Sequence, residues 1–135
     1  MRTAIAGAAL AAALAGTGGA AAAGDPILGV WKTTEGAEGG YLHVRIEPCG
    51  TAFCGRIVKA VDAQGVTGTD YAHLGKQMII DMAARGDGSY AGGRIWAPDE
   101  DRTYRLLLTL RPDGLAVRGC QLAFCRDAGV WTRVD

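Results

Sequence analysis

Beyond residue 25, apolar and polar positions alternate with a period of two over most of the chain, and glycine, proline and aspartate break the pattern at short intervals. That is the pattern of half-buried β-strands joined by tight turns. In YLHVRIEP, Leu42, Val44 and Ile46 share one face while His43, Arg45 and Glu47 take the other. TYRLLLTL places Tyr104, Leu106, Leu108 and Leu110 in an apolar stripe opposite Thr103, Arg105, Leu107 and Thr109. The pattern predicts strands near 27–34, 41–48, 53–61, 77–82, 90–97, 103–110, 115–121 and 129–134, with MIIDMAARG assigned to strand although it has room for a short helical turn. RPDG, residues Arg111 to Gly114, reads as a turn because proline presets one backbone dihedral and glycine accepts positive φ. Eight short strands with few crossovers predict an all-β, antiparallel up-and-down barrel, which closes on itself and so leaves no sticky edge. Asp62 to Gly75 is the one long connection, and such loops in compact domains are more often functional than decorative.

The opening MRTAIAGAALAAALAGTGGAAAAG does not fit this scheme. One arginine, a short Ala/Leu-rich run and a small-residue stretch form the layout of a secretory signal, so residues 1–23 are read as a signal peptide, with cleavage near Ala23 or Gly24. The run is too short to span a bilayer, and no cysteine near the cut is placed to take a lipid. What remains, residues 25–135, suits one domain, with no transmembrane segment in the mature chain and a periplasmic or secreted location. Acidic and basic residues balance at 14 each, so bulk charge points to no nucleic-acid partner.

Export also bears on the cysteines. CGTAFC (Cys49 to Cys54) and CQLAFC (Cys120 to Cys125) are near copies, each with four residues between its cysteines at a strand end. A redox dithiol usually keeps two residues between its cysteines at a helix start, and CxxxxC is an unusual zinc spacing. Structural disulfides within each clasp, 49–54 and 120–125, are therefore the leading reading, though pairing between the clasps stays open on spacing alone. The two loops are expected at one end of the barrel.

Few other residues invite chemistry, and no catalytic constellation, metal site or cofactor is found. His43 sits on a solvated strand face, whereas His73 lies in the long loop beside Tyr71 and Asp70. Asp99, Glu100 and Asp101 read as a proline-led turn rather than a calcium site. Ser89 is the sole serine and has no nucleophile elbow around it, which argues against a serine hydrolase. At the two ends, Gly29 to Trp31 opens the first strand and Trp131 to Val134 closes the last, so Arg133 is placed to lay its guanidinium over Trp31 and seal the barrel.

GDPILGVW, EPCGTAFCGRIV, GGRIWAPDEDRTY, LAVRGC and the terminal WTRV together resemble domain-of-unknown-function family 2147, small exported bacterial proteins. The resemblance implies a lipocalin-like barrel with a ligand cavity and no established enzymatic activity. The lipocalin pattern carries over to Gly29, Trp31 and Arg133. TDYAHLGKQMII stands where an Asn-Pro-Asp-like segment is common in the family. The expected role is binding a small apolar or amphipathic ligand, the alternative being a structural or interaction protein of the envelope with a solid core. Candidate ligand contacts are Arg94, Trp96, Tyr104, Arg118, Tyr71 and His73, the two arginines suiting a carboxylate head if they point inward.

Overall fold

A computed structural model of the chain describes residues 24–134; the signal-peptide expectation for 1–23 lies outside them. Among the described residues the elements are β1 (Gly29–Lys32), β2 (Tyr41–Cys49), β3 (Ala52–Val61), β4 (Thr67–Gly68), β5 (Gln77–Ala84), β6 (Ser89–Ala97), β7 (Arg102–Arg111), β8 (Gly114–Gln121) and β9 (Phe124–Arg133). Every pairing is antiparallel. The order β2-β1-β9-β8-β7-β6-β5-β3 returns through β3 to β2, so eight strands close into an up-and-down barrel, and β4 adds only a two-residue pairing to the end of β3. MIIDMAA is strand, inside β5.

Most boundaries fall within two residues of those the alternation predicts; the first and last strands differ for identifiable reasons. The first strand is short because Asp25–Leu28 forms a turn, with the Leu28 N–H donating to the Asp25 carbonyl at 3.1 Å. The last strand begins at Phe124, five residues before the predicted 129, because its ladder runs up to the clasp with Cys120 opposite Cys125 and Gln121 opposite Phe124. Residues 124–129 are all exposed and so show no apolar stripe to read.

The barrel has a closed end and an open one. At the closed end Ile27 is fully buried as a plug, and the Trp31 indole N–H donates to its carbonyl at 2.9 Å. The Arg133 guanidinium lies 4.1 Å from the centre of the Trp31 ring and donates to the carbonyls of Pro26 and Leu28. The Tyr90 hydroxyl donates to Asp25, whose carboxylate also accepts from the Ile27 N–H. Burial first, then that hydrogen bond and the Asp25 charge, push the Tyr90 phenol well above its ordinary pKa. The inward stripes of β2 and β7 (Val44, Ile46, Leu106, Leu108) meet Phe53 and Met82 in the core above this plug.

Both clasps pair internally, Cys49 with Cys54 (Cα–Cα 5.5 Å) and Cys120 with Cys125 (4.0 Å). They do not share an end, which corrects the expectation from sequence. Between the β2–β3 turn and the β8–β9 turn the chain crosses the barrel by β3, β5, β6, β7 and β8, an odd number of passes, so the first clasp staples the closed end and the second the open rim. Because each closes only a short loop, replacing Cys120 and Cys125 by serine is expected to lower stability by about 2 kcal/mol and leave the barrel intact. A denaturant titration checks this: a lower midpoint with an unchanged slope is expected, and a collapsed slope would show that the clasp holds more than its own loop.

Candidate functional site

Above the packed lower half, the inward side chains no longer meet across the barrel. They leave an open cavity of about 1190 Å³. Its lower wall is apolar, formed by Leu42, Met78, Ile95, Val117 and Trp131. Small residues on the same wall, Ala60 of β3 and Gly119 of β8, leave space that larger side chains would occupy. The alternation explains the lining: Val117 and Gly119 face inward on β8, while Arg118 between them is exposed.

The mouth is built by connections at the open end. The loop from Thr33 to Gly40 follows β1, the Asp62–Lys76 connection follows β3, the turn Pro98–Asp101 joins β6 to β7, and the clasp tip joins β8 to β9. The first loop is fixed to the barrel seam by the Thr34 hydroxyl donating to the Ala128 carbonyl at 3.1 Å. The long connection is fixed by the Gly75 N–H donating to the Ile57 carbonyl (2.8 Å) and the Ile57 N–H to that of Lys76 (2.9 Å). The clasp tip is braced by Arg105, which donates to the Leu122 carbonyl at 2.6 Å. There Leu122 and Phe124 stand 87% and 80% exposed beside the opening.

Two of the six candidate ligand contacts, Tyr71 and Tyr104, line this cavity. Tyr104 reaches it from β7, with its hydroxyl donating to Glu100, and Tyr71 reaches it from the long connection. Burial, and behind it the Asp99 carboxylate, push the Tyr71 phenol above its ordinary pKa. Among the described residues no group of three or more His, Cys, Asp or Glu is arranged to hold a metal ion.

The model of a family described as "Uncharacterized protein conserved in bacteria (DUF2147)" matches residues 29–133. The chain belongs to the DUF2147 family. No curated protein matches it. Among solved structures it is similar to protein HP1028 of Helicobacter pylori, described as belonging to the lipocalin family. The TM-score is 0.64 at 15% identity, covering 81% of this chain and 83% of that one. At that identity the likeness is one of fold, and it shows that this DUF2147 barrel is lipocalin-like.

Four candidate ligand contacts in the DUF2147 chain lie elsewhere. Arg94 alternates with the inward Ile95 and is exposed on the outer wall. Arg118 is likewise outward and pairs with Asp127 at 3.1 Å. Trp96 packs on the outside, donating its indole N–H to Asp101 at 2.9 Å. His73 sits edge-on to it at 4.9 Å and to Tyr71 at 5.3 Å, with its Nδ1 buried and unpartnered, and does not line the cavity. For Arg94, Trp96 and Arg118 the physical reason is strand parity: each strand residue takes the face opposite to its neighbour's, and Ile95 and Val117 claim the inside. His73 lies in a turn of the long connection and packs on Trp96. His43 is half-buried on the outer face of β2, where burial, then Lys59 and Lys32, lower its pKa. Sequence reasoning passed over Glu35, Glu38, Ala60 and Gly119, although the alternation on β8 already carried Gly119 to the same face as Val117.

Proposed function

We propose that this DUF2147 protein is a non-enzymatic binding protein of the periplasm or extracellular space that holds a small apolar or amphipathic molecule in the upper half of its barrel. The observation that carries this reading is the open cavity with an apolar floor, of a size and character suited to enclosing one small ligand. Tyr71 and Tyr104, each with an apolar ring and a polar tip, are the side chains assigned to the junction of ligand tail and head. Two intrachain disulfides support export to an oxidising compartment, and no helix among the described residues is long and apolar enough to cross a membrane. The packed lower half favours the second reading, a solid interaction module. The upper half favours binding.

Titration with the neutral fluorescent probe N-phenyl-1-naphthylamine separates the two. Saturable enhancement with one site per chain is expected, accompanied by a change in tryptophan emission because Trp131 forms part of the floor. Replacing Ala60 with tryptophan projects an indole into the cavity and is expected to weaken binding roughly tenfold or more, with thermal unfolding showing that the barrel persists. Absence of saturable binding to the wild-type chain would sink the reading, as would undiminished binding to the Ala60→Trp variant.

A further inference from the structure

The rim of the cavity has a charge that the chain as a whole lacks. Over the full sequence acidic and basic residues balance. In the cavity lining, however, Glu35, Glu38, Asp62, Asp70, Asp99 and Glu100 face only Arg102 and Arg126. The carboxylates arrive in pairs, two from each of three mouth connections that are far apart in sequence.

Some are already engaged. Glu100 lies 3.5 Å from Arg126 and accepts from Tyr104, and Asp62 accepts the N–H groups of Gln64 and Val66 within its own turn. Glu35, Glu38, Asp70 and Asp99 form no ion pair among the described residues, and all four are exposed at the mouth. Of the two arginines in the lining, Arg126 is paired with Glu100 and Arg102 forms no ion pair among the described residues, so four unpaired carboxylates face one unpaired cation. Arg94 and Lys59 are exposed on the outer wall. Directly below the acidic ring begins the apolar wall of Leu42, Ile95 and Trp131.

A molecule seated here with its tail on that wall leaves its head among carboxylates from three sides. A cleft of net negative charge above low-dielectric walls concentrates the potential at its mouth, so a positive head is drawn in and a carboxylate or sulfate head is repelled. The tyrosine rings at the same level add faces that suit a cation. We propose that the cavity takes amphiphiles with a cationic head, an amine or quaternary ammonium carrying an apolar tail, and discriminates against anionic amphiphiles. This rests on the binding reading above. It also reverses the carboxylate-head preference that Arg94 and Arg118 suggested from sequence, since neither faces the cavity.

The test uses three probes with one tail: octyltrimethylammonium, 1-octanol and octyl sulfate, titrated calorimetrically as monomers into the mature protein. Octyltrimethylammonium is expected to bind about tenfold tighter than 1-octanol, octyl sulfate is expected to bind more weakly than either, and high salt should compress the spread. In a Glu38→Gln, Asp70→Asn, Asp99→Asn variant, which removes only exposed like charges, the order should flatten while 1-octanol binding stays the same. Equal binding of the ammonium and the alcohol to the wild-type chain would overturn the head-group proposal and leave the cavity reading standing. Tighter binding of the sulfate, or an ammonium preference unchanged in the variant, would also overturn it. Failure of all three to bind would remove both readings.

Discussion

Replacing Trp31 with alanine is expected to destabilise the barrel by about 3–5 kcal/mol, a large part of what holds a domain of this size together. The indole is 2% exposed and joins three parts of the closed end. It belongs to the buried core opposite Val44 of β2, it donates to the Ile27 carbonyl, and its face carries the Arg133 guanidinium. Truncation leaves a cavity, an unpaired carbonyl on the plug and an arginine without its ring. The β1–β9 ladder is short: Trp31 stands opposite Arg133 and Lys32 opposite Thr132, with the Val134 N–H donating to the Val30 carbonyl at 3.0 Å, so the indole lies at the narrowest pairing of the barrel. Thermal unfolding should show a midpoint lowered by roughly 10–30 °C. Trp31→Phe keeps a ring under Arg133 but loses the indole donor, and should cost about 1 kcal/mol for the lost hydrogen bond plus the reduced packing. If Trp31→Ala shifted the midpoint by only a degree or two, the closed end would not be the structural anchor assigned to it.

A second substitution of comparable size lies on β6. A Cβ at position 93 would stand 2.0 Å from the Ile80 carbonyl oxygen and 2.6 Å from the backbone of Asp81. These are backbone atoms of the paired strand and cannot swing aside. Here the β6–β7 ladder slips between Tyr90 and Gly93, and Asp81 takes a positive φ of 55°, so β5 and β6 bend together at a close approach. Gly93→Ala must therefore push the two strands apart and is expected to cost about 3–5 kcal/mol. Gly92 provides the contrast: it has a positive φ of 90°, but a methyl group added there would meet nothing within 4 Å. Gly92→Ala should thus lose only the backbone preference, about 1–2 kcal/mol. Parallel urea titrations of the two variants check the difference, and equal losses would mean that backbone conformation rather than space governs this corner.

Much of the barrel was legible because alternation is a local signal. β2 and β7 have their apolar residues on one face at every second position, and those residues are the ones that meet in the core. β9 was legible only in its lower part. Its upper residues, from Phe124 to Gly129, stand at the rim, where no core demands an apolar side chain, so the sequence there carries no stripe. The opposed placement of the two clasps was readable as well, since the predicted strands already put five passes between them. Counting passes would have placed the acid-bearing segments EGAEG, DAQGVTGTD and PDED together at the open end.

The ligand contacts were harder to read for a different reason. Arg94, Trp96 and Arg118 are residue types that suit a polar-headed ligand, but type does not say which face a residue takes. Ile95 and Val117 beside them had already claimed the interior.

Taken alone, then, the sequence determined most of the strands and the antiparallel barrel, because both rest on period-two alternation; it favoured a disulfide within each clasp, and the tertiary structure decided that pairing. Only the tertiary structure decided how far up the barrel the side chains fill it. That depends on which residues of opposite walls face each other at a given height: Leu108, Phe53 and Met82 lie in the packed core, while Ala60 and Gly119 line the cavity. Counting passes puts the three acidic loops at one end, but only the structure showed that Glu35, Asp70 and Asp99 line the cavity there, because that depends on how each loop folds over the rim.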